Sequence, residues 1–184
     1  MIVMGIDASL RSTGITVSDY DVVENKFFDD QFYIITPHIT KKQSQDKNIT
    51  YIEYEKTTDK TTTLRNYIDE LRVLLHRHHP QIVMLEDIPF MKGSRSVVDL
   101  ALLNGAIRCL CYIEGISVYV VNNMTWKKTL IGNGAADKDF TVMNFCGLNP
   151  IFSPYTTKQI NDIADSFFIC RYLWYIPSTQ NNAI

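Results

Sequence analysis

Three features of this 184-residue sequence predict an α/β fold built on a mixed five-stranded sheet, three antiparallel strands followed by parallel ones, with helices on its faces. Three strand-like runs open the chain with only short breaks between them, which suits an antiparallel meander. Helical and strand-like periodicities then alternate to the end. Two runs, MIVMGID at the start and IVMLE in the middle, are apolar up to a closing acid, as strands buried on both faces are.

Residues 2–7, 14–20 and 27–35 are the first three strands. The polar stretch 37–48 (PHITKKQSQDKN) reads as a loop, and 49–55 (ITYIEYE) alternates well enough for an extra strand or hairpin arm, with no partner specified. Leu64, Tyr67, Ile68, Leu71, Leu74 and Leu75 keep helical spacing until Pro80 stops them before the strand 82–86. A helix over 96–114, a strand over 118–121 and a short helix near Trp126 follow. Then come a Gly132-Asn133-Gly134 turn, a helix after Asp137 and a closing helix over 157–174. Residues 1–176 are expected to form one domain, and 177–184 a polar, frayed tail.

Composition narrows the class. With 46% hydrophobic and 21% charged residues the chain suits a soluble core, no apolar stretch reaches membrane-spanning length, and the first residues carry no basic leader. A cytoplasmic protein is expected. Cys109, Cys111, Cys146 and Cys170 lie in apolar, helix-like segments without metal-ligand spacing, and are read as reduced core residues. A net charge of −2 runs against nucleic-acid binding, yet residues 91–138 hold six Lys or Arg against three acids. The acid excess is concentrated in residues 19–60.

The chemistry lies in four carboxylates. In QINDIADSFFI, helical spacing puts Asp162 and Asp165 on one face. Asp7 and Glu86 close the two buried strands, and ligands of open α/β sheets gather at strand ends. Four such acids repel one another unless protonated or neutralised, and hard oxygen donors suit Mg²⁺ or Mn²⁺. Two ions there would serve phosphodiester hydrolysis. Any one acid alone is more simply a solvated strand end or helix-face charge.

Gly5-Ile6-Asp7-Ala8-Ser9-Leu10-Arg11-Ser12-Thr13-Gly14 resembles the opening motif of RuvC-type Holliday-junction resolvases. The likeness continues through Glu86, the stretch from Trp126 to Lys138, and Asp162-Ile163-Ala164-Asp165, and so spans residues 2–172. It implies an RNase H-like fold, a homodimer, and paired Mg²⁺-dependent nicking of four-way DNA junctions that leaves 5′ phosphates. Two ions per site are implied, with Mn²⁺ able to substitute. Lys127 and Lys138 match the family's two lysines near the scissile phosphate, and Lys128 is a further candidate for DNA contact. Gly132 and Gly134 either let the backbone approach phosphate or only form a tight turn; both readings stand.

After Glu86, the loop Asp87 to Arg95 combines Phe90 with Lys92 and Arg95, a mixture suited to stacking on an unpaired base beside the backbone. Phe90 is the candidate wedge, although Pro89 displaces it by one position from the family pattern; the plain alternative is a core cap. Asp87 faces away from Glu86 and is read as structural. His76, His78 and His79 are read as a solvated helix end, without metal. Tyr112, Tyr119, Trp126, Phe167, Phe168 and Trp174 are read as core or dimer surface, and Met4, Met84, Met124 and Met143 as packing residues. The helix 96–114 is apolar over more surface than one sheet face requires, which makes it the candidate dimer seam.

Three other readings compete. An RNase H-like site acting on flaps, forks, other branched DNA or RNA/DNA hybrids uses the same acids. A sugar-kinase or actin-like ATPase has a similar opening turn but needs two such domains. A silent junction-binding protein would lack an acid, and none is missing.

Overall fold

A computed structural model describes residues 1–88 and 95–176. Its sheet comprises β1 (Ile2–Asp7), β2 (Thr13–Asp21), β3 (Lys26–Thr36), β4 (Thr50–Glu53), β5 (Ile82–Glu86) and β6 (Ser117–Val121). The helices are α1 (Lys60–His78), α2 (Arg95–Ile113), α3 (Asn123–Ile131), α4 (Lys138–Leu148) and α5 (Thr157–Arg171). The strands lie in the order β4-β3-β2-β1-β5-β6. The meander β1 to β3 is antiparallel, and β5 and β6 extend it in parallel from β1.

The sheet has six strands rather than five. Residues 50–53 pair in parallel with β3, from Tyr33↔Thr50 to Thr36↔Glu53, on the edge remote from β5. A four-residue edge strand reached through a long polar loop carries too little periodicity to announce its partner. The final helix also ends earlier than expected, at Arg171, and continues as a 3₁₀ turn through Tyr172–Tyr175.

The pleat divides the core in two. Val3, Ile82 and Met84 point to the face covered by α3, α4 and α5, where they meet Trp126, Phe145, Ile163 and Phe167. Met4, Ile6, Val83 and Leu85 point to the face covered by α1 and α2, against Tyr67, Leu71, Leu103 and Ile107. By the same alternation, Asp7 and Glu86 belong to the α5 side.

Two glycines let α5 come that close. A Cβ at Gly5 would stand 2.3 Å from the Ser166 carbonyl oxygen, and one at Gly14 2.0 Å from that of Asp162. Only a residue without a side chain permits backbone-to-backbone packing of a helix on these strands.

Several residues expected inside are at the surface. Cys109, Met124 and Met143 are exposed, because an apolar side chain in an amphipathic helix need not face the core, and Tyr112, read as core or dimer surface, is exposed as well. Trp174, also read as core or dimer surface, is 40% exposed, whereas Trp126, Phe167, Phe168, Met4 and Met84 are buried and Tyr119 is partly so. All four cysteines are free thiols, Cys111 and Cys170 fully buried and Cys146 partly. No helix among the described residues is long and apolar enough to cross a membrane.

Candidate active site

Asp7 and Glu86 end adjacent parallel strands one step beyond the paired Ile6 and Leu85, so the register sets them side by side. Their carboxyl groups are close enough for the charge of Glu86 to act on Asp7. From the helix above, Asp162 and Asp165 descend one turn apart, Asp165 almost wholly buried. The four acids predicted from the sequence thus converge at one end of the sheet.

Their electrostatics show the strain of that convergence. Burial pushes the Asp7 carboxyl well above the usual carboxylate range, and the charges of Glu86, Asp165 and Asp162 push it further. Asp165 is pushed up to about 7, first by burial and then by Glu86 and Asp162, while Lys127 and Lys138 oppose the shift. Asp162 is raised by burial, and Ser12, Lys138 and Asn161 pull it down. Removing water from clustered anions leaves three remedies: protons, lysines or a divalent cation.

The lysines are held differently. Lys127 is buried, and its Nζ donates to the Ala136 carbonyl at 2.9 Å and lies 5.4 Å from the Trp126 ring centre. Lys138 is the exposed first residue of α4, which Asp137 caps by accepting from the Phe140 amide at 2.8 Å. Lys128 is exposed on α3.

The glycines divide. Gly132 ends α3 in the left-handed region at φ 82°, with open space where a Cβ would stand, so backbone conformation requires it. Gly134 packs on α3, its ideal Cβ position 3.0 Å from the Met124 carbonyl oxygen. The turn reading explains both residues.

Phe90 and Lys92 lie outside the described residues, and Arg95 begins α2. Asp87 accepts from the Ile88 amide at 2.9 Å and stands 4.0 Å from Arg108. His76 bonds Glu114 at 2.8 Å, His79 is the left-handed cap of α1, and His78 packs against the Tyr33 ring.

Sequence reasoning missed what orients the acids. Trp126 Nε1 donates to Glu86 Oε1 at 3.2 Å and Asn123 Nδ2 donates to the same oxygen, while Asn104 donates to the Glu86 carbonyl at 3.0 Å. Asn161 Nδ2 donates to Asp162. The buried Tyr67 hydroxyl and the loop residue Ser9 both bond Thr13 at the start of β2, stiffening the turn beyond Asp7. Trp126 reads as pure core because hydropathy does not show where an indole N–H points.

As donors the four acids suit hard divalent cations, being all-oxygen and short of positive charge. Among the described residues no three His, Cys, Asp or Glu side chains stand ready to grip one ion in their present rotamers. Glu86 is turned towards Asn123 and Trp126, and Asp162 towards Asn161.

A mixed sheet with three antiparallel strands, parallel strands beyond them, and acids from β1, β5 and α5 defines an RNase H-like nuclease. The sequence profile described as "Crossover junction endodeoxyribonuclease RuvC" matches residues 3–169, and the chain belongs to that family. It is 26% identical over 174 residues to the crossover junction endodeoxyribonuclease RuvC of Caldicellulosiruptor saccharolyticus, spanning 92% of this chain and 89% of the relative. The fold is shared with Thermus thermophilus RuvC in complex with Holliday junction substrate (TM-score 0.65, 16% identity, 95% and 94% of the two chains). The Fowlpox virus resolvase bound to Holliday junction DNA is also similar (TM-score 0.53, 18% identity, 95% and 97%).

Proposed function

We propose that this endodeoxyribonuclease resolves four-way DNA junctions as a homodimer, with Asp7, Glu86, Asp162 and Asp165 of each subunit holding two Mg²⁺, replaceable by Mn²⁺. The observation that carries the reading is the crowding of acids out of water: Asp7, Asp162 and Asp165 are held above the usual carboxylate range chiefly by burial, and Asp7 and Asp165 further by neighbouring carboxylates. Such an arrangement costs stability and is repaid only by a cation or by function. When bound, the ions would supply an activated water and charge stabilisation at the leaving oxygen.

The chain's own groups do the rest. Asp7, held above the usual carboxylate range, gives up its proton on becoming a ligand, and Trp126 and Asn123 aim Glu86. Lys127, anchored through Ala136, presents a fixed cation to the non-bridging oxygens of the scissile phosphate, and Lys138 adds a second from solvent. Phe90, Lys92, Arg95 and Lys128 are assigned to DNA binding.

The dimer reading rests on α2. Val98 and Leu102 are 60% and 57% exposed and Tyr112 is 75% exposed; with Gly105 and Cys109 they recur at four and three residues, a heptad-like seam on the side away from the sheet. A two-fold pair of sites matches a pseudo-symmetric junction, so like strands are cut in pairs.

The test is a side-by-side cleavage assay on synthetic four-way junctions, flaps, forks and RNA/DNA hybrids in Mg²⁺. Paired nicks on the junction are expected at the highest rate. A preference for flaps or hybrids would replace this substrate with the competing one.

A further inference from the structure

A cavity of about 770 Å³ opens beside Asp162, and the segment that walls it is the polar loop to which the sequence assigned no role. Its lining joins Lys42, Lys47 and Tyr51, from the loop and β4, to Tyr155 and Lys158 at the start of α5. The volume falls in the roughly 300–1,000 Å³ range of pockets that enclose a molecule of about nucleotide size.

The loop is not a loose flap. Asp46 accepts from the amides of Asn48 (2.9 Å) and Ile49 (3.1 Å) and from the Tyr155 hydroxyl at 2.8 Å, while Asn48 Nδ2 donates to that hydroxyl at 3.1 Å. Tyr155 thereby ties the loop to the segment leading into α5, and Ile49 is buried in the core beneath. Asp46 is used up in this clasp. The cations are not: among the described residues, Lys42, Lys47 and Lys158 enter no ion pair and are exposed. Tyr51 is half-buried between the clasp and Asp162.

We infer that the 37–49 loop, β4 and the start of α5 form a subsite for the DNA strand next to the scissile phosphate, with Lys42, Lys47 and Lys158 on flanking phosphates and a Tyr51 or Tyr155 ring against a sugar or base. The inference rests on the nuclease reading above and extends it to a part of the chain outside the acid cluster. Free lysines around an open cavity select a polyanion, the tyrosines add stacking surface, and contact with Asp162 places that polyanion in line with the reacting phosphate.

The variant Lys42→Gln/Lys47→Gln/Lys158→Gln tests it. Junction affinity is measured in EDTA across salt concentrations. Each lost phosphate contact lowers the slope of log K against log salt by about 0.9, so a fall of roughly 2–3 is expected. At saturating DNA in Mg²⁺ the cutting rate should stay within about threefold of the parent protein, since none of the three touches the reacting atoms. A walk of neutral methylphosphonate linkages along the cut strand should weaken parent binding at one or two positions near the cut and leave the variant indifferent there. An unchanged salt slope, or the same walk for both proteins, overturns the subsite while the nuclease reading stands. A parent protein that cuts no junction overturns the nuclease reading instead. Thermal melting checks that the variant is folded, and the single variant Lys42→Gln, expected to lower the slope by about 0.9, carries the test should the triple variant melt early.

Discussion

The two ends of α5 treat carboxylates in opposite ways. Near its C-terminus Arg171 reaches across to Asp30 on β3 with two hydrogen bonds of 2.5 and 2.6 Å, bonds Ser18 at 2.9 Å, and is sandwiched by Phe27 and Phe167 at 4.2 and 4.3 Å. There both oxygens of the acid accept from a buried arginine. Two turns earlier, Asp162 and Asp165 face Asp7 and Glu86, and the lysines nearby only moderate the repulsion. One helix thus carries a finished ion pair and an unfinished cluster; the unfinished one is where chemistry is possible.

Substitutions that break this contrast should differ in kind. Asp7→Asn removes a proposed ligand and relieves repulsion, so junction nicking in Mg²⁺ should fall by about 10³-fold or more while junction binding is kept. Substantial residual cleavage would take Asp7 out of the mechanism. Arg171→Met at the other end leaves the buried Ser18 and the partly buried Asp30 without their cation, and should cost roughly 3 kcal/mol in a denaturant melt with little effect on the cutting rate of the folded fraction. A loss below 1 kcal/mol would mean that this pair is not the clamp its geometry suggests.

The paired glycines sharpen the comparison. Gly14 meets the backbone of Asp162 and Gly5 that of Ser166 and Cys170, nearer the arginine end. Gly14→Ala should displace the acid end of α5, costing ~2 kcal/mol and a larger factor in cutting rate than in junction affinity. Gly5→Ala should cost similar stability, with the activity loss following the folded fraction alone. Equal rate losses for the two folded variants would show that α5 moves as one rigid rod.

Most of the framework was legible in the sequence because it depends on periodicity. Asp7 and Glu86 sit at the ends of short apolar runs, and the spacing of QINDIADSFFI puts both aspartates on one face. What stayed hidden depends on direction or distant pairing. The parallel pairing of β4 with β3, the aim of the Trp126 N–H at Glu86, and the clasp of Asp46 with Tyr155 join positions that no local pattern connects. The RuvC-like motif supplied the order of the acids, whereas the role of the 37–49 loop emerged only once folding set it beside Asp162.

The smallest effect is in the pH dependence of stability, where the two ends of α5 should again separate. Asp7, Asp162 and Asp165 have folded-state values above the ordinary 3.8, with Asp165 at about 7. A carboxyl whose folded value is raised binds its proton more tightly in the native state, so its contribution is greatest at low pH and is lost as pH rises towards the folded value. Without divalent ions the protein should therefore lose stability between about pH 4 and pH 7. Millimolar Mg²⁺ should restore the loss at pH 8 and do little at pH 5, where protons compete for the same oxygens. Thermal melts at four pH values, with EDTA and with Mg²⁺, measure this directly, and Asp7→Asn should flatten the EDTA curve while Arg171→Met leaves its slope intact. A curve that instead rises from pH 4 to 7 in EDTA would mean that these acids are stabilised as anions by the protein alone, and the case for paired cations would lose its electrostatic ground.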